Sequence, residues 1–315
     1  MSTNHEVYHG AVNDQLINLI PTRLSTLVLK LGVHVSISGG ISNSVDNAMK
    51  IGCTAFQVFT RSPRQWKTKE LTPHETEIFK EKLGHSPIDP ESVVVHMPYL
   101  PNLSAPTSEM YEKSISVLTD EITRCNMLDI PQLVIHLGSH LGQGPKNGIN
   151  QLVNACTKSL SAYSDLGLSR NRVKILLENS AGQKNSIGSQ IGEIQSIFDI
   201  LGKNDYGLCI DTCHLFAAGY DLSTESGVSA LVDNIDSHLG LENIKIIHLN
   251  DSKGELGSNL DRHYHIGLGK IGENGLRYLV NYKKLSQVPI IMETPIDSVR
   301  SDIDNIEFVR NVLCK

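Results

Sequence analysis

Six short apolar runs in this chain end on a histidine, an aspartate or a glutamate. They are V-V-V-H at His96, L-V-I-H at His136, I-L-L-E at Glu178, L-C-I-D at Asp211, I-K-I-I-H at His248 and P-I-I-M-E at Glu293. His214 follows Asp211 by three residues, and a later segment reads Asp261-Arg262-His263. A D-x-H in extended backbone turns both side chains to one face, where they can grip one ion. The nine groups are five imidazoles and four carboxylates. Magnesium and calcium prefer shells made of oxygen alone. An imidazole-rich set favours zinc, with Mn²⁺ or Fe²⁺ as substitutes. At about three or four ligands per ion, with a carboxylate shared, nine ligands serve three ions. Three divalent ions, two of them about 4 Å apart, suit phosphoester cleavage. The pair acidifies a shared water and neutralises the phosphate, and the third holds the leaving oxygen.

Each residue alone has a plainer reading. A single histidine at a strand end is more often hydrogen-bonded structure than a ligand, and a single glutamate there is usually solvated or paired. Six in succession on one rim are another matter. Clustered carboxylates raise each other's pKa, and cations relieve that cost.

The elements that must hold these groups alternate regularly. Strands are expected at Leu27–Ser36, Ala55–Thr60, Val93–Met97, Leu133–Leu137, Val173–Asn179, Leu208–Asp211, Ile244–Asp251 and Pro289–Thr294. Helical periodicity fills Asn43–Ile51, Ser108–Met127, Ile149–Leu166, Ile191–Leu201, Val228–Leu239 and Gly275–Tyr282. Strands that are apolar on both faces and separated by helices imply a parallel sheet covered by helices. Eight such units predict an α/β fold, a (β/α)8 TIM barrel with the metal site at the C-terminal rim of its strands. No Gly-x-Gly-x-x-Gly follows the first strand, which weighs against a dinucleotide fold. The expected organisation is an N-terminal extension over residues 1–26, with room for one short helix or a cryptic targeting peptide, and one barrel domain over 27–315.

The chain has 315 residues, a net charge of −6 and six scattered cysteines. The cysteines predict buried free thiols in a reducing, intracellular compartment rather than a disulfide framework. Cys209-x-x-x-Cys213 has zinc-pair spacing, but no second pair answers it. No apolar run reaches the roughly 20 residues of a membrane span. An acidic balance argues against a nucleic-acid partner. Three bound zinc ions would cancel it and concentrate positive field in the cleft.

Several stretches together resemble the endonuclease IV family of trinuclear-zinc apurinic/apyrimidinic endonucleases. They are His34-Val35-Ser36 with Ser38-Gly39-Gly40, Phe59-Thr60 with Arg64-Gln65-Trp66, and His136-x-Gly138-Ser139-His140. Glu178 to Gln183, Cys209 to Asp221, His248 to Asp251 and Asp261-Arg262-His263 complete the set. The likeness runs from about Leu31 to the C-terminus. It implies a base-excision repair enzyme that cuts duplex DNA on the 5′ side of an abasic site and cleans blocked 3′ ends. It implies three zinc ions, on His96, His136 and Glu178, on Glu178, Asp211, His248 and Glu293, and on His214, Asp261 and His263. Glu178, Glu293 and Asp211 would be the catalytic carboxylates. Arg64 would enter the duplex on one side of the lesion, and Tyr99 and Leu100 on the other. An abasic nucleotide has no base to unstack, so its extrusion is cheap, and inserted side chains hold the resulting kink. Pro98 and Pro101 depart from the family pattern around Tyr99 and Leu100, and proline fixes φ and removes an amide donor.

His34 and His140 are expected to orient a ligand or a phosphate. His5, His9, His74, His85, His238 and His265 are expected at the surface. The expected state is a monomer. Two rivals stay open: a metal-dependent sugar isomerase on a similar barrel, and a lesion binder without turnover.

Overall fold

The computed structural model describes residues 29–168 and 172–314, so the expected N-terminal extension lies outside the described residues. In chain order come β1 Leu31–Val33, α1 Asn43–Lys50, β2 Phe56–Val58, α2 Pro73–His85, β3 Val93–His96, α3 Glu109–Leu128, β4 Gln132–His136 and α4 Pro145–Asp165. There follow β5 Lys174–Glu178, α5 Ile191–Leu201, β6 Tyr206–Asp211, α6 Thr212–Ala218, α7 Glu225–His238 and β7 Ile244–His248. The chain ends with β8 Asp251–Ser252, β9 His263–Tyr264, α8 Gly272–Val280, β10 Ile290–Met292 and α9 Asp302–Phe308.

Eight strands pair in parallel in the order β1-β10-β7-β6-β5-β4-β3-β2. The two edge strands meet where the Val35 amide donates to the Gln57 carbonyl at 2.8 Å and the Thr54 amide donates to the Leu31 carbonyl at 2.8 Å. The result is the expected (β/α)8 TIM barrel. Gly32 sits at that seam because a Cβ there would lie 1.7 Å from the Ala55 carbonyl oxygen.

Successive side chains on a strand face opposite ways. One set, including Val93, Val95, Leu133, Ile135, Ile175 and Leu177, belongs to the large core beneath the helices. The alternate set forms a second, separate cluster: Ala55, just before β2, with Val94, Val134, Leu176, Cys209, Ile246 and Ile291, one from each of six strands, and all are fully buried. These residues plug the barrel interior. Two residues further along the chain come Gln57, His96, His136, Glu178, Asp211, His248 and, just past β10, Glu293. The pleat therefore sets a polar ring directly above an apolar one.

The expected run Ile244–Asp251 is in fact two elements. β7 stops at His248, and Asp251–Ser252 turns away to pair antiparallel with His263–Tyr264. That hairpin folds the Asp261–His263 segment back over the rim. The expected first strand is shorter than its apolar run, Leu31–Val33 within the described residues. Two helices escaped the sequence reading. α2 starts at a capping box of Thr72 and Glu75 with Pro73 in its first turn, and α9 starts at a capping box of Ser301 and Asp304.

Candidate metal centre

Asp211 shows how local structure builds this site. It ends β6, and its carboxylate caps α6 by accepting the His214 amide at 2.7 Å. An N-cap bonds the amide two or three positions on, so the spacing D-x-x-H brings His214 into the first helical turn beside Asp211. Glu178, Asp211, His248 and His96 are buried, whereas His136 and Asp261 are partly open to solvent. The rim therefore opens on that side.

Glu178 stands at the centre. Its Oε2 lies 3.2 Å from His96 Nε2 and 3.1 Å from His136 Nε2. Its Oε1 lies 3.0 Å from His248 Nδ1 and 3.6 Å from His214 Nδ1. Asp211 Oδ2 lies 3.9 Å from His248 Nδ1 and 3.5 Å from His263 Nε2. Asp261 Oδ1 lies 3.2 Å from His214 Nε2 and 3.4 Å from His263 Nε2. Glu293 Oε2 lies 3.4 Å from His248 Nδ1. The nine residues singled out in the sequence thus converge. Their donor atoms form compact groups: His96, His136 and Glu178; Glu178, Asp211, His248 and Glu293; and Asp211, His214 and His263. Asp211 approaches the last group as closely as Asp261 does, so it stands between the second and third sets.

Ring orientation is set from behind. The Nδ1–H groups of His96, His214 and His263 donate to the carbonyls of Met97, Asn179 and Glu293 at 2.7, 2.9 and 3.2 Å. That leaves Nε2 of each ring as a lone pair aimed at the cluster. His248 is reversed, since its Nε2 donates to Gln57 Oε1 at 2.9 Å and Nδ1 faces the carboxylates. Asp211 is held by the Asn250 side chain, which donates to its Oδ2 at 2.7 Å. Lone pairs aimed at carboxylate oxygens repel unless something positive lies between them, a proton or a metal ion. The ring atoms His214 Nε2 and His263 Nε2 are buried and have no hydrogen-bond partner.

The electrostatics agree. Burial would raise the Glu178 carboxyl, but the imidazoles of His136 and His248 prevail and hold it well below the usual range. Burial would likewise raise Glu293, and His248 and His96 bring it down to about 2. Burial opposes charge on His214, yet Asp211 and Asp261 lift it to about 10. In the absence of a cation, protons on the histidines balance the carboxylates. A site that recruits positive charge this strongly suits divalent metal.

Gln57 was missed in the sequence. Its amide accepts from His248, donates to Glu293 Oε1 at 2.6 Å and donates to His34 Nδ1 at 3.0 Å. Its neighbour His34 is neutral, its pKa lowered to about 4 by burial. His140 does not reach the cluster. Its Nδ1 accepts from the Gly142 and Gly144 amides at 3.1 and 3.0 Å and shapes the loop after β4. The surface expectation for His265 is overturned. It is fully buried, with Nε2 donating to Asp297 Oδ1 at 2.9 Å and Nδ1 accepting from Asn305 at 3.1 Å. His74, His85 and His238 are exposed as expected, and His5 and His9 lie outside the described residues. Cys53, Cys125, Cys156, Cys209 and Cys213 are buried free thiols. Burial pushes Cys209 and Cys213 up to about 12, so neither offers a thiolate.

Arg64, Tyr99 and Leu100 stand exposed on loops after β2 and β3. The Tyr99 ring lies 5.2 Å from Phe59 and 6.2 Å from His136, so it leans over the open edge of the cluster. Beside it a cleft of about 430 Å³ is lined by Lys253, Arg262, His263 and Glu293. A second cavity of about 290 Å³, whose lining includes Ser139, Asn179, Gln183 and Lys184, shares His136, His214 and Asp261 with the first. Among the described residues no helix is long and apolar enough to cross a membrane.

Comparison with known proteins gives the same outline. The profile of the family described as xylose isomerase-like TIM barrel matches residues 45–312. A probable endonuclease 4 of Cenarchaeum symbiosum is 49% identical over 283 residues, 90% of this chain and 99% of that protein. The crystal structure of endonuclease IV from Thermus thermophilus is 34% identical with a TM-score of 0.78, covering 89% of this chain and 97% of that one. A D-tagatose 3-epimerase-like protein, 18% identical with a TM-score of 0.67 over 90% of this chain and 96% of that one, shares the fold.

Proposed function

We propose, from the premise that this chain belongs to the endonuclease IV family of xylose isomerase-like TIM barrels, that it is a zinc-dependent DNA repair endonuclease. It hydrolyses the phosphodiester 5′ to abasic sites in duplex DNA, leaving a 3′-hydroxyl and a 5′-deoxyribose phosphate, and it also clears blocked 3′ ends. One barrel domain over residues 27–315 carries the activity, as a monomer inside the cell in a reducing compartment. The observation that carries this reading is the set of imidazole lone pairs and carboxylates converging on Glu178.

The residues present fit three divalent ions. His96, His136 and Glu178 would hold one. Glu178, Asp211, His248 and Glu293 would hold a second. His214, Asp261 and His263 would hold a third, which Asp211 also approaches. Two buried ring nitrogens without partners belong to that third set, and a cation there would satisfy both. Zinc is the best match to an imidazole-rich set without thiolate. Bound at these positions, such ions acidify water and neutralise charge on a phosphodiester.

The rest of the work falls to the chain itself. Gln57 and Asn250 hold Glu293, His248 and Asp211 in fixed orientations. Neutral His34 offers a proton donor without adding charge. Lys253 and Arg262 give the cleft a positive side for the DNA backbone. Arg64, Tyr99 and Leu100 fill the gap that an extruded abasic nucleotide leaves.

The likeness to sugar epimerases is one of fold alone. Nicking of an oligonucleotide duplex with one abasic site, combined with metal analysis, decides the matter. The expected result is a single 5′ cut and three metal ions per chain. Aldose isomerisation without nicking would favour the sugar isomerase, and binding without nicking would favour the inactive lesion binder.

A further inference from the structure

The loop that follows β2 runs Phe59-Thr60-Arg61-Ser62-Pro63-Arg64-Gln65-Trp66. Thr60 and Arg61 are buried, while Arg64 is exposed only three residues later. The face of α3 that packs against this loop carries Asp120, Glu121 and Arg124. Glu121 is fully buried, and Arg124 and Arg61 are each 4% exposed. Arg61 donates from Nε to Glu121 and from Nη2 to Asp120. The Thr60 hydroxyl donates to Glu121 Oε2 at 2.7 Å and accepts from Arg124 Nε at 2.8 Å. Arg124 also donates from Nη2 to the Thr60 carbonyl at 2.7 Å and from Nη1 to the Lys69 carbonyl at 3.1 Å. One guanidinium thus grips both legs of the loop, nine residues apart.

Between the legs the chain is equally confined. The Gln65 amide donates to the Ser62 carbonyl at 3.3 Å, closing a turn with Pro63 second and Arg64 third. Proline in that place pre-sets its φ. Trp66 packs against the core. Two buried guanidinium groups and a buried carboxylate stabilise a fold no better than apolar side chains of the same volume would. What they supply, and apolar groups cannot, is directional bonds to loop carbonyls.

We propose that Arg61, Glu121 and Arg124 form a positioning clamp that holds the loop after β2 in the shape needed to insert Arg64 at the lesion. Arg124 then governs discrimination between abasic and intact duplex without touching DNA or metal. A pre-ordered loop spares the complex the entropy of ordering it on binding. The inference rests on the reading of Arg64 as a DNA-inserting residue.

The test uses the full-length, metal-loaded protein and two variants, Arg124→Met and Arg124→Lys. Lysine keeps the charge beside Glu121 but cannot bridge both legs, so it serves also if the methionine variant misfolds. The probes are a duplex with one tetrahydrofuran abasic analogue and the same duplex intact. Both variants should keep their metal content and their kcat at saturating substrate. They should bind the abasic duplex about three- to tenfold more weakly, as expected for one or two side chains that must be ordered on binding. Affinity for the intact duplex should not move. In an Arg64→Ala background, Arg124→Met should add no further loss, the non-additivity of residues acting as one unit. A loss that persists in full without Arg64, parent-like behaviour of Arg124→Lys, or loss of metal would overturn the proposal. If the parent protein fails to nick abasic duplex, the functional reading has failed instead.

Discussion

Two rings of side chains line the inside of this barrel, one pleat apart along the chain, and they have opposite characters. The lower ring is Ala55, Val94, Val134, Leu176, Cys209, Ile246 and Ile291. The upper ring is Gln57, His96, His136, Glu178, Asp211, His248 and Glu293. Each upper residue stands two positions beyond a lower one, so the two share a direction and differ only in height. The lower ring excludes water and fixes the spacing of the strands. The upper ring inherits that spacing and turns it to chemistry. A group of carboxylates in such a place depends on cations, because water reaches it only from above. Stability and function are therefore separable at a resolution of two residues, and substitutions in the two rings should fail in different ways.

The largest effect should come from the hub of the upper ring. Glu178→Ala removes the one carboxylate that faces His96, His136, His214 and His248 together. Nicking of abasic duplex should fall by at least roughly 10³-fold, because ion-supplied charge stabilisation amounts to several kcal/mol. Metal content should fall with it, measured by elemental analysis of purified protein. Full activity with fewer than two ions per chain would undo the metal reading. Two residues earlier on the same strand, Leu176→Ala should do the converse. Leu176 is fully buried in the lower ring, and a cavity there should cost about 2–5 kcal/mol of unfolding free energy, read from denaturant titration. The folded fraction should keep its metals and its kcat. A Leu176→Ala protein that is stable yet metal-free would mean that the rings are not separable.

The same alternation explains what could be read from the sequence. His96, His136, Glu178, Asp211, His248 and Glu293 are conspicuous because each breaks an apolar run in phase with its strand. Gln57 stands in that phase too, in A-F-Q-V-F, but a neutral amide is not among the usual ligands of zinc and a search for such ligands passes over it. The Thr72-Pro73-x-Glu75 and Ser301-x-x-Asp304 caps were present as signals for α2 and α9, although α2 is only weakly patterned and α9 is only seven residues long. His265 could not have been placed from local pattern. Its burial is made by Asp297 and Asn305, 32 and 40 residues away. The run Ile244–Asp251 read as one strand because Asn250 and Asp251 continue its register. In the fold Asn250 instead turns in to bond Asp211, and Asp251 accepts the amides of Ser252, Gly269, Ile271 and Gly272. Such roles belong to tertiary contacts that no window of sequence contains.

Gln57 offers the finest test of the two-ring picture, since it sits in the upper ring without charge and without a bond to any metal. Its carbonyl accepts the His248 Nε2 proton, which leaves Nδ1 bare toward Glu178 and Glu293. Its amide donates to Glu293 Oε1, which leaves Oε2 for the cluster. Leucine at this position would keep the volume and lose both bonds. His248 would then be free to carry its proton on either nitrogen, and Glu293 free to rotate. Groups that orient ligands in this way typically govern about 10- to 100-fold in metal affinity. Gln57→Leu should therefore bind the ion held by His248 and Glu293 about 10- to 100-fold more weakly, measured by chelator competition on the metal-depleted protein. It should nick normally once excess zinc is restored. A variant with unchanged metal affinity would show that the wall of the barrel, rather than the amide, sets the orientation of His248. The boundary between the structural and chemical rings would then exclude β2, and the upper ring would begin at His96.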